Sequence, residues 1–102
     1  MNSITFYQRF EMDILSQKKT ITIRDASEKD FVPHSIVDVS TYEDGRWFCQ
    51  LRIVSVTPIS FSELTDVHAQ QENMTLEELK QVISDIYPET PDLYVIAFEL
   101  VK

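Results

Sequence analysis

"SQKKTITIRD", residues 16–25, joins two kinds of backbone. Upstream, Tyr7, Phe10, Ile14 and Leu15 recur at helical spacing, which predicts an amphipathic helix over 7–18. Lys18 and Lys19 fall where a helix C-terminus favours cations. Downstream, "TITIRD" alternates with period two, predicting a strand over 20–25. Its pleat puts Thr20, Thr22 and Arg24 on one face and Ile21 and Ile23 on the other. An amine, two hydroxyls and a guanidinium thus crowd one helix-to-strand junction.

Working outward, "ITF" reads as a short first strand over 4–6. "SIVDVSTY" and "RWFCQLRIVSVTPI" read as strands over 36–42 and 46–57, joined by a hairpin at Asp44-Gly45. In the second of these the apolar positions run Trp47, Cys49, Leu51 and Ile53 before passing to Val54 and Val56, which predicts a bulge. Ser60 with Glu63 and Thr75 with Glu78 form capping boxes, predicting helices over 62–70 and 75–87. Met74 and Leu79 are placed to staple the second, which buries Leu76, Leu79, Ile83, Ile86 and Tyr87 and stops at "YPETP". "LYVIAFELV" closes the chain as a strand over 92–101, apolar on both faces. The order is strand, helix, three strands, two helices, strand. It lacks βα alternation and predicts an α+β single domain over 1–102, a small mixed β-barrel with helices packed at its ends.

The charge is −8, with 17 acidic residues against 9 basic, and the excess is local: residues 61–92 carry eight acids and only Lys80. A protein that tracks a phosphate backbone needs a basic stripe, and none is present, so long nucleic acid is an unfavourable partner. One cysteine excludes an internal disulfide, and one glycine excludes a Gly-rich phosphate loop. "MNSITFYQRF" has neither the basic head nor the apolar run of a signal peptide, and no segment is long enough to span a membrane. A cytoplasmic monomer is expected, with no membrane partner.

Few side chains stand out chemically. His34 follows Pro33 in a turn, and His68 lies on an acidic helix; neither has companions at metal-ligand spacing, so no metal or cofactor is expected. Cys49 falls mid-strand on the apolar parity, the setting of a small buried hydrophobe. Glu72, in "QQEN" between two helices, reads on its own as one more solvated acid, although irregular backbone there allows it to cross the domain. Lys19, Thr20, Thr22 and Arg24 each have an ordinary explanation as helix-end cation, strand residue or surface ion pair. Their convergence within six residues is harder to dismiss, because burial beside Arg24 would depress the lysine pKa toward that of a base. Strict alternation places Lys19 opposite Thr22, an objection that holds only if the pleat already exists at the junction.

"QKKTITIR" resembles the signature of the ASCH domain superfamily, β-barrels similar to the PUA RNA-binding fold. That signature runs Gly, any residue, Lys, a small polar residue, any residue, Glu, any residue, Arg. Lys19, Thr20 and Arg24 match it; Gln17 replaces the glycine, and Thr22 stands where many members have the acid. With "ITFYQRFEMDILSQKKTITIRD", "HAQQENMTLEELKQVISDIYP" and "YVIAFE", nearly the whole chain is similar to the bacterial N4-acetylcytidine amidohydrolases of that superfamily. The resemblance implies hydrolysis of a small nucleoside, N4-acetylcytidine, to cytidine and acetate. It implies Thr22 as nucleophile, Lys19 as proton acceptor and Glu72 as proton donor. Arg24, on chemistry and parity, is a candidate for binding the cytosine carbonyl. Phe6 and Tyr7 could stack on the base but read first as core. The alternative is a non-catalytic PUA-like module that binds a modified nucleoside or RNA, a role with no use for an activated hydroxyl.

Overall fold

The computed structural model describes residues 2–102. Five strands, β1 (Ser3–Phe6), β2 (Ile21–Arg24), β3 (Ile36–Thr41), β4 (Trp47–Ser60) and β5 (Asp92–Leu100), form one sheet in the order β1-β3-β4-β5-β2. β1 and β3 run parallel; the other pairs are antiparallel. The sheet is open rather than a closed barrel, because β1 and β2 lie at its two ends. A side chain spans that gap: Arg24 on β2 donates from Nη2 to the Thr5 carbonyl on β1 at 2.8 Å.

β4 turns the sheet. Its first half pairs with β3 and its second half with β5, with the register shifting between Ile53 and Ser55. The extra residue, Val54, faces solvent at the point where the apolar parity changes. Beyond Arg52 the strand pairs only with β5, and there Pro58 costs no ladder bond on its open side. β5 is apolar on both faces because it divides two cores. Ile96 and Phe98 pack with Ile4, Phe6, Val37, Val39 and Leu51, whereas Leu93 packs with Ile21, Ile23, Leu64, Leu79 and Ile83.

The helices depart from expectation at the first element. Residues 8–10 form a 3₁₀ turn and α1 covers only Glu11–Leu15. The helix stops because Gln17 takes φ 63°, the left-handed conformation of a C-terminal cap. The Asp13 carbonyl then accepts both Lys18 N–H (2.9 Å) and Lys19 N–H (3.0 Å). Glycine adopts this conformation without steric cost, and Gln17 is exposed. Gln17→Gly is therefore expected to stabilise the fold by about 0.5–1 kcal/mol, after allowing for the added freedom of the unfolded chain. A urea melt reads this as a higher midpoint, and a lower one would show that the glutamine side chain supports the turn.

The Ser60–Glu63 box caps a 3₁₀ turn over Phe61–Glu63, so α2 begins later, at Asp66, and runs to Gln71. His68 forms a second box, its Nδ1 accepting the Thr65 N–H at 3.0 Å. α3 (Leu76–Ile86) opens at the Thr75–Glu78 box as expected, with Met74 and Leu79 in one cluster. Ile86, expected in the core, is instead 40% exposed beside a cleft.

Candidate active site

The junction at residues 18–20 is tied down from both sides. Lys19 N–H donates to Asp13 O at the end of α1, and Thr20 N–H donates to Gln71 O at the end of α2 (2.7 Å), while Phe98 N–H on β5 donates to Thr20 O (3.0 Å). β2 starts only at Ile21, so the pleat does not govern Lys19, and its stem turns to the same side as Thr22. This removes the parity objection.

Glu72 is buried, at 5% exposure, contrary to its reading as a solvated acid. It caps the C-terminus of α2, and Asn73 follows at φ 57°, a conformation asparagine tolerates. The Thr20–Gln71 backbone bond links the neighbours of Lys19 and Glu72, which fixes the two side chains against each other. The Asn73 amide also donates to the Asp13 carboxylate at 3.1 Å, clasping the ends of α1 and α2. Sequence carried one signal for this, an Asn at the residue after a helix, but nothing that named Asp13 as its partner.

Lys19, 3% exposed, donates from Nζ to Glu72 Oε1 and to the Ile21 carbonyl (2.9 Å). Its Nζ lies 5.6 Å from the centre of the Phe6 ring and 5.1 Å from that of Phe10. Burial first, and then the Arg24 charge, lower its pKa from 10.5 to about 7, against an opposing pull from Asp13. An amine in this state is available as a base near neutrality.

Thr22, 4% exposed, sits one residue beyond the carbonyl that holds Lys19. Its Oγ1 accepts from Arg24 Nε at 2.8 Å. Arg24 is committed at every nitrogen: Nη1 pairs with Glu28 (3.1 and 3.2 Å) and Nη2 with the Thr5 carbonyl. Glu28 was not singled out from sequence, and its spacing of four from Arg24 across a 3₁₀ turn was the available clue.

Lys19, Thr22, Arg24, Glu28 and Glu72 line one cleft of about 260 Å³. Its walls are apolar, from Phe6, Tyr7 and Phe10 on one side and Val82, Ile86 and Tyr87 of the α3 region on the other. Tyr42 stands at the rim, 65% exposed, with its ring edge-on to Tyr7 at 5.2 Å. The other residues weighed from sequence lie elsewhere. His34 sits in an exposed turn and His68 caps α2. Cys49 is buried, and burial raises its thiol pKa to about 11, so it is not a nucleophile. Among the described residues no group of three His, Cys, Asp or Glu side chains could hold a metal ion, and no helix is long and apolar enough to cross a membrane.

The open five-stranded α+β sheet has the fold of ASCH domains. An ASCH domain from Lactobacillus crispatus superposes with a TM-score of 0.78 over 97% of this chain and 79% of that one, at 15% identity. The ASCH protein of Zymomonas mobilis gives 0.75 over 98% and 69%, at 11% identity. No protein-family model matches the sequence. Curated relatives are much closer in sequence. The N(4)-acetylcytidine amidohydrolase of Vibrio atlanticus is 62% identical over 97% of this chain and 95% of its own. That of Pasteurella multocida is 58% identical over 98% and 96%. The chain belongs to the N(4)-acetylcytidine amidohydrolase family.

Proposed function

We propose that the protein hydrolyses N4-acetylcytidine to cytidine and acetate through an acetyl-threonine intermediate. The observation that carries this reading is the placement of one hydroxyl, one pKa-depressed amine and one carboxyl, all nearly inaccessible to solvent, along a single apolar cleft. Neutral Lys19 accepts the Thr22 proton as Oγ1 attacks the acetyl carbonyl. The tetrahedral intermediate collapses with cleavage of the C–N bond, and Glu72 supplies the proton that lets the exocyclic amine depart. Water then attacks the acetyl-threonine, giving its proton to the Lys19–Glu72 pair and releasing acetate. Lys19 does not bond Thr22 directly here; its bond to Ile21 O holds Nζ on the nucleophile's own strand. Such contacts commonly tighten only with substrate in place.

The charges of the cleft also select the substrate. Lys19 pairs with Glu72 and Arg24 with Glu28, leaving no free cation among the described residues that line the cleft to hold a phosphate. A neutral nucleoside fits, its base held by the aromatic wall, and every group of the site comes from one chain, so a monomer is competent. Purified protein incubated with N4-acetylcytidine is expected to release cytidine and acetate in equal amounts. The 5′-monophosphate of the same nucleoside is expected to react with kcat/KM lower by about tenfold or more, since its charge is desolvated beside the cleft with no unpaired cation among the described residues lining it. No release of cytidine would overturn the assignment. Equal rates on the two compounds would overturn only the selection by charge.

A further inference from the structure

Arg24 is the one cation of the cleft that cannot lose its charge, and it touches the oxygen at which the chemistry occurs. Its Nε–H donates to Thr22 Oγ1 at 2.8 Å. That direction is fixed by two protein acceptors, the Glu28 carboxylate on Nη1 and the Thr5 carbonyl on Nη2, and by the Phe6 ring 4.8 Å beneath the guanidinium carbon. A hydroxyl oxygen that accepts from Nε must send its own proton elsewhere, leaving that proton free for a base. Any negative charge that gathers on Oγ1 is met by a charge-assisted bond already in place.

We propose that Arg24 is a catalytic residue that stabilises the Thr22 oxygen, and that it matters most when that oxygen leaves the acetyl group. This rests on the reading of Thr22 as nucleophile. The two half-reactions place charge on Oγ1 differently. In acylation of the enzyme by an amide, the slow event is expulsion of the amine; the Oγ1–carbon bond is by then formed, and Glu72 protonates the leaving nitrogen. In deacylation, water adds to the acetyl carbon and its proton passes to the Lys19–Glu72 pair. The Oγ1–carbon bond then breaks, its electron pair stays on Oγ1, and a proton returns from that pair to restore the threonine. Expelling an alkoxide is the step for which the Nε–H bond is aimed. Glu28 is a positioning residue, acting on Oγ1 only through the guanidinium.

The test is Arg24→Gln, which removes the charge and keeps a polar side chain at the cleft. With N4-acetylcytidine the variant is expected to release a first equivalent of cytidine, then slow by about 10²–10³-fold in kcat. Acetyl-Thr22 accumulates and is detected by mass spectrometry of the quenched protein, and KM falls together with kcat. Loss of kcat without acetyl-enzyme, or a raised KM at unchanged kcat, would overturn the proposal, the second outcome returning Arg24 to the cytosine carbonyl. If Arg24→Gln does not fold, Glu28→Gln decides. It keeps a hydrogen-bond acceptor for Nη1, and is expected to show the same accumulation to a smaller extent; unchanged acetyl-enzyme levels there would sink the idea. The underlying reading fails separately, through turnover by a protein that lacks the Thr22 hydroxyl.

Discussion

Thr22→Val is expected to reduce turnover of N4-acetylcytidine by about 10⁴-fold or more, the scale seen when a covalent nucleophile is removed. Valine keeps the branched shape that β2 requires and removes only the hydroxyl. The pairing of Thr22 with Ile96 on β5 is a backbone matter and survives. What is lost structurally is an acceptor for Arg24 Nε, a cost of about 1–2 kcal/mol that lowers the melting temperature without unfolding the domain. The expected result is a folded protein that still fills its cleft with substrate, forms no acetyl-enzyme and releases no cytidine. Near-normal activity would place the attack on a water activated by Lys19, and the covalent route would be wrong.

The second large effect is on pH. Lys19 must be neutral to accept a proton, and its pKa is lowered to about 7. kcat/KM is therefore expected to climb with pH through about 7, falling about tenfold per unit below it. The causes of that lowering are burial, then Arg24, with Asp13 opposing. The competent pair shares one proton, as neutral lysine with carboxylic acid or as ammonium with carboxylate, and its apparent values belong to both groups. Removing that last proton ends activity at higher pH, which makes the profile a bell. Lys19→Met is expected to lose about 10³-fold or more in kcat and with it the acid limb of the profile. An acid limb retained in Lys19→Met would assign the titration to another group.

The same shift has a cost in stability, and its sign is set by proton counting. A proton that leaves the Lys19–Glu72 pair between about pH 7 and 10.5 is one that the unfolded lysine still holds. Stability contributed by this group therefore rises with pH across that window and is lost as pH falls toward 7. Lys19→Met alone strands Glu72 in the interior. The double variant Lys19→Met/Glu72→Gln removes both charges, and buried pairs replaced in this way commonly leave a protein as stable or more so. It should be inactive and no less stable than the parent at pH 6, as a melt would register.

Much of this was written locally. The alternation of "TITIRD" gave β2 and the shared face of Thr22 and Arg24; the Thr75–Glu78 box gave the start of α3; the doubled apolar pattern of β5 gave its position between two cores. Capping and pleat are properties of neighbouring residues, so sequence displays them. The openness of the sheet is not such a property, since closure depends on how far β1 and β2 are carried apart by the twist of β3, β4 and β5. The first helix was overextended because apolar spacing continues past the point where Gln17 turns left-handed. At the site, Lys19, Thr22 and Arg24 lie within six residues and could be suspected together. Glu72 could not be joined to them by spacing, because its burial follows from a single backbone bond, Thr20 to Gln71, that no local pattern encodes. The acceptors of Arg24 were hidden for the same reason: Thr5 contributes a carbonyl, which every residue has.

That bond between distant segments bears on how the protein comes to be active at all. Lys19 and Glu72 are 53 residues apart in the chain, and between them lie three whole strands, β2, β3 and β4, with much of the first core. Closing a loop of that length costs entropy that local helices and the β3–β4 hairpin do not share. Helices and hairpin can therefore assemble early, while the pair exists only once the ends of α1 and α2 have met across β2. A chain that has collapsed without that meeting has the content of the native protein and none of its chemistry. Recovery of activity during refolding thus reports the arrival of the whole topology rather than of any part of it.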